Sequence, residues 1–145
     1  MASPVSVVEA FLDQLKADLI GKTAAGARVF RGREDPFALE ELPAINIFRE
    51  ADTREAHARG FEKIVGGLRL ELHARGSDWE TRCDALHVEA HAAMLASTVL
   101  PTLAVGIQCV GTEPQSEGAD RTAGKLGARY QMQILIRPED ITRRA

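Results

Sequence analysis

A chain of 145 residues is the length of one domain, and its 45% hydrophobic content is enough for one core but not for two. The formal net charge is -3, with 18 basic against 21 acidic residues spread along the chain. This excludes the strong positive field that gathers nucleic acid or anionic lipid, so neither sequence-specific nucleic-acid binding nor membrane association is expected. No stretch approaches the roughly 18 apolar residues of a membrane span, and Met1-Ala2-Ser3-Pro4 lacks the basic run and apolar block of a signal peptide, so the expected compartment is a cytoplasm.

The first predicted element is an amphipathic helix over residues 4–20. Ser3 stands where a cap belongs, Pro4 fits the first helical position, and Val5, Val8, Leu12, Leu15 and Leu19 recur at helical spacing. Residues 27–31 read as a short strand, residues 32–36 as loop by composition, and residues 44–49 as a second strand with Ile45 and Ile47 on one face. The charged residues 50–62 have too little apolar content for core and read as an exposed connection.

Over residues 63–73, Ile64, Gly66, Leu68, Leu70 and Leu72 alternate with polar or small residues, the period of a strand with one buried face. Gly66-Gly67 inside it predicts a bulge or a close approach of another backbone. Ser77 followed by Glu80 has the form of a capping box, and Trp79, Cys83, Leu86, Ala90 and Met94 set the apolar stripe of a second helix over 78–96. A fourth strand spans 103–110, residues 111–126 read as a long polar connection, and a fifth strand spans 129–137 before Pro138 and a short charged tail.

Strands grouped between two helices, rather than alternating with them, predict an α+β fold. The expected architecture is a mostly antiparallel or mixed five-stranded sheet with two helices packed on one face, forming a single domain over 1–145. The other sheet face would carry Arg69, Glu71, Gln108, Arg129, Gln131 and Gln133 toward water or a partner.

No catalytic, cofactor-binding or metal-binding constellation emerges, and the chain is not expected to be an enzyme. His87 and His91 lie four apart on a helix, a spacing that can share a metal, but Val88 and Ala90 occupy the places where zinc-peptidase motifs carry glutamate. They are read as histidines of the outer helix face. Cys83 and Cys109 belong to no paired motif and are read as reduced core thiols. The glycine-rich stretches 21–26 and 118–127 match neither a phosphate loop nor a dinucleotide fingerprint.

The order of elements and several phrases resemble the tail terminator family of long-tailed bacteriophages, the lambda U-type minor tail proteins and their prophage relatives. The phrases are the opening helix over 5–20, Ala27-Arg28-Val29-Phe30 ahead of Glu41-Leu42-Pro43-Ala44-Ile45-Asn46-Ile47-Phe48, and Leu68-Arg69-Leu70-Glu71-Leu72-His73-Ala74-Arg75-Gly76. They continue with the helix over 77–96, Gly106-Ile107-Gln108-Cys109-Val110-Gly111-Thr112-Glu113-Pro114, and the closing strand from Tyr130.

The resemblance implies a monomer in solution that forms a ring, a hexamer in this family, on the tail tube. The ring would halt tube polymerisation and offer a surface for head joining, with the tail tube protein and a head completion protein as partners. Assembly would take place in the bacterial cytoplasm and the product would reside in the virion tail. Another head–tail connector or neck protein, or a non-catalytic adaptor, is the alternative. Exposed charge and loop length point to Arg54, Arg59 and Phe61 in the first connection as interface residues. They point equally to Glu113, Glu117, Asp120, Arg121 and Lys125 in the second connection, and to Arg69, Arg129 and Gln131 on the polar sheet face.

Overall fold

The computed structural model describes residues 3–57, 60–117 and 122–144. The first helix, α1, is Val7–Leu19; it begins later than its sequence pattern suggests because Ser6, not Ser3, caps it, its hydroxyl accepting the Glu9 N–H at 3.2 Å. Val8, Phe11, Leu12, Leu15 and Leu19 are buried along one side of α1.

The strands are β1 (Val29–Arg31), β2 (Ala44–Ala56), β3 (Glu62–Arg75), β4 (Gly106–Ser116), β5 (Ala123–Arg137) and β6 (Asp140–Arg144). They form one six-stranded sheet in the order β1-β2-β3-β5-β4, with β6 also paired to β5. β1 runs parallel to β2 and every other pairing is antiparallel, so the sheet is mixed and the fold is α+β. The last strand comes from the segment read as a charged tail.

The second helix, α2, is Trp79–Ala96, and a short helix α3, Leu100–Leu103, follows it. Ile45, Ile47, Leu68, Leu70, Leu72, Tyr130, Met132 and Ile134 project from one sheet face into a core completed by α1 and by Leu86, Ala90 and Met94 of α2. The α2 cap differs from the predicted capping box: Asp78 is the cap residue, and its carboxylate accepts from the Arg82 side chain rather than from a first-turn backbone N–H. Among the described residues, no helix is long and apolar enough to cross a membrane.

The two segments read as exposed connections are mostly strand. Residues 50–56 continue β2 and pair with β3 through Ala56↔Glu62, and residues 111–116 and 123–126 extend β4 and β5, pairing through Ser116↔Gly124. Both distal strands are outermost for much of their length and have little covering either face. Their side chains can therefore be polar on both sides, and the period-2 hydrophobic signal disappears. A 15-residue strand is about 50 Å long while an 18-residue helix is about 27 Å, so the helical layer cannot cover the whole sheet.

The expected irregularity at Gly66-Gly67 is present. The β2–β3 register shifts between Arg49 and Asp52, and a β-carbon on Gly67 would stand 3.2 Å from the Glu50 β-carbon and 3.4 Å from the Ala51 carbonyl. A second bulge leaves Val110 unpaired between Cys109 and Gly111. It reverses the faces of β4: Ile107 and Cys109 share the helix side with Met132 and Tyr130, whereas Glu113 and Gln115 share the opposite side with Gly127 and Lys125.

Residues 32–36, expected as loop, continue through residue 42 as a flap that folds back over one end of the polar sheet face. Phe37 and Leu42 form a second apolar cluster with Ala44 and Ala123, flanked by Phe30. Arg33 holds this flap in place. Its guanidinium stacks over Phe37 at 4.3 Å and Phe30 at 5.0 Å, pairs with Glu41 at 2.8 Å, and donates to the Pro36 carbonyl. That end of the face is therefore dry rather than wet.

Candidate assembly surface

The polar face beneath and beyond this flap is built from three cross-strand rows. Ala44, His73, Lys125 and Gln115 form one; Asn46, Glu71, Gly127 and Glu113 the next; Phe48, Arg69, Arg129 and Gly111 the third. Because Gly127 has no side chain, the middle row opens into a cleft of about 460 Å³ walled by Arg69, Glu71, Glu113, Lys125 and Arg129.

Two carboxylates organise the charges. Glu50 receives Arg69 at 3.3 Å and Arg129 at 3.6 Å, and Glu71 receives Arg69 and Lys125, each at 3.3 Å. His73 joins Glu71 to Glu117, its Nε2 lying 3.4 Å from the first and its Nδ1 2.7 Å from the second. The Arg69 guanidinium also stacks over Phe48 at 4.7 Å.

Glu71 and His73 are buried despite facing the polar side. Burial pushes the Glu71 carboxyl up, but hydrogen bonding to His73 and the ammonium of Lys125 outweigh it and hold the carboxyl at about 2. The floor of the cleft is thus a buried charge network, while its rim is open to water: Glu113 is exposed and the Arg129 side chain is 67% exposed.

The residues singled out from the sequence fall into separate groups. Arg69, Glu113, Lys125 and Arg129 share the cleft. Glu117 lies beside it under His73, and Gln131 lies one position further along β5, next to Tyr130 and Arg129. Arg54 is set apart on distal β2, paired with Asp52 at 3.5 Å and Glu62 at 3.8 Å, and Phe61 closes the β2–β3 turn by accepting the His57 N–H at 2.8 Å. Arg59, Asp120 and Arg121 lie outside the described residues. Glu50 and His73 were not singled out from the sequence, Glu50 because it opens a charged run and His73 because a lone polar residue at a strand end carries no signal of burial.

The histidine pair is not on the outer helix face. His87 Nε2 and His91 Nδ1 each lie 2.8 Å from the hydroxyl of Tyr130, a buried β5 residue, so both rings are half-buried against the sheet. One ring accepts the phenolic proton and the other donates to the phenolic oxygen. Burial and the neighbouring His91 lower the His87 pKa against the raising effect of Asp84, and burial raises that of Tyr130. Among the described residues, no group of three or more His, Cys, Asp or Glu is arranged to hold a metal ion.

Cys83 is a core thiol as expected, donating toward the Leu72 carbonyl at 3.0 Å and pushed up to about 11 by burial. Cys109 is not fully in the core: it sits half-buried on β4, at the edge of the sheet. Trp79 also departs from its predicted place in the buried stripe, lying half-exposed over Gly124.

No family model and no curated protein matches the sequence. Among solved structures, the chain is similar to a chain of the "Virion of native gene transfer agent (GTA) particle", at 12% sequence identity, covering 90% of this chain and 92% of that one, with a TM-score of 0.48.

Proposed function

We propose that this chain is a structural, non-catalytic component of a phage-type virion, of the tail terminator kind, which caps the tail tube as a ring, ends tube growth and presents a surface for head joining. The observation that carries the reading is the long sheet face left bare by the helices, with the charged cleft over Gly127 at its centre and two long hairpins at its rims. Such a face is rigid because it is built on strands, and its rim charges are exposed to complementary charges on another subunit.

A ring subunit needs one surface for the tube and others for its neighbours, and a charged cleft flanked by hairpins offers separate surfaces for those tasks. The resemblance of the strand phrases to the tail terminator family supports the same assignment.

The test is charge reversal at the rim. Arg129→Glu and Glu113→Lys change exposed side chains and should leave the fold unaltered by circular dichroism. In a complementation assay each should reduce the yield of joined, infectious particles; full yield from both variants would remove the cleft from the assembly surface.

A further inference from the structure

The outward face of α2 carries exposed apolar side chains and is bordered by Glu89, whose carboxylate accepts the Ala24 N–H at 3.2 Å. Val88 and Leu95 are 62% and 61% exposed, and Ala85, Ala92 and Ala96 lie beside them on the same face at spacings of three and four. The buried side of the helix is apolar as well, through Cys83, Leu86, Ala90 and Met94. Exposed apolar side chains opposite a buried stripe give the helix a second face suited to packing.

Charge is distributed unevenly along this face. The last turns of α2, residues 90–96, carry no Asp, Glu, Lys or Arg, in a chain where charged residues make up 27%. At the opposite end, the exposed carboxylates of Glu80 and Asp84 flank the face and form no ion pair among the described residues, while Arg82 between them is engaged by Asp78 at 2.8 Å.

We propose that the outward face of α2 docks an amphipathic helix of a different protein, apolar along one side and basic in its last turns, lying antiparallel to α2. The small exposed side chains of Ala85, Ala92 and Ala96 beside Val88 and Leu95 leave grooves into which the ridges of a second helix fit. The antiparallel direction brings the partner's basic C-terminal turns to Glu80 and Asp84, where the charges pair and both helix dipoles are compensated.

A second copy of this chain is the poorer occupant. An α2–α2 antiparallel pair would set Glu80 and Asp84 against the uncharged half of the other helix, and the polar side of α1 carries Glu9 and Asp13, already engaged by Arg31. The docking site goes beyond the ring reading and does not depend on it.

The probe is a fluorescein-labelled synthetic helix of about 18 residues, with Leu and Ala along one side and Lys in its last two turns, and a control with Glu in place of Lys. Anisotropy should show the basic peptide binding the full chain, and amide shift changes should concentrate on α2. Leu95→Asp, at an exposed position, should weaken binding at least about tenfold with an unchanged thermal melt. Glu80→Lys with Asp84→Lys should reverse the preference so that the acidic control binds better. Equal affinity for wild type and Leu95→Asp, shifts centred away from α2, or concentration-dependent self-association abolished by Leu95→Asp would each overturn the proposal.

Discussion

The indole of Trp79 lies on the backbone of Gly124 so closely that a β-carbon at position 124 would stand 2.3 Å from the ring. This contact joins the start of α2 to the start of β5, at the end of the sheet where the β4–β5 hairpin begins to extend. Gly124→Ala therefore has to displace the indole, and such overpacking typically costs about 1–3 kcal/mol. Urea denaturation should show that loss together with a red shift in tryptophan emission. Trp79→Ala should remove the penalty, so that Gly124→Ala on that background is close to neutral.

Tyr130→Phe removes the one hydroxyl to which both His87 and His91 are bonded. Two half-buried ring nitrogens then lose their partner, and the expected cost is about 1–3 kcal/mol. Histidine ring resonances followed by NMR should move for both residues together, since they share the partner; movement of one alone would show that the second contact is not formed in solution.

Glu71 links acid stability to the charged floor of the cleft. Its carboxyl has a folded value of about 2 against an ordinary 4.5, so its stabilising contribution is complete above about 4.5 and is lost as pH falls from there toward 2. Glu71→Gln should lower Tm at pH 7 and flatten the fall in Tm over that acid window relative to wild type. Parallel Tm curves for the two proteins below pH 4.5 would show that the network does not hold the carboxylate.

The elements with one wet and one dry face were legible in the sequence. α1 and the inner parts of β2, β3 and β5 show the expected periods because each has a continuous buried side. Distal β2 and β4 were not legible: with both faces near water, Arg54 and Glu113 sit on strands whose composition matches that of a loop. Burial of Phe37 against His73, with ring centroids 4.8 Å apart, depends on a long-range fold-back that local pattern does not encode. The inward turn of His87 and His91 is set by where Tyr130 lies across the sheet, 43 and 39 residues away in sequence. Of the surface residues chosen from the sequence, Arg69, Glu113, Lys125 and Arg129 gathered at one cleft, because alternation along a strand fixes which side chains share a face.

The account stands or falls on whether this chain limits a tube. Electron micrographs of tails assembled from a gene cluster lacking only this protein should show tubes of uncontrolled, excessive length without joined heads, and supplying the wild-type chain should restore a single narrow length distribution. Tails of normal length, joined to heads, in its absence would contradict the assignment.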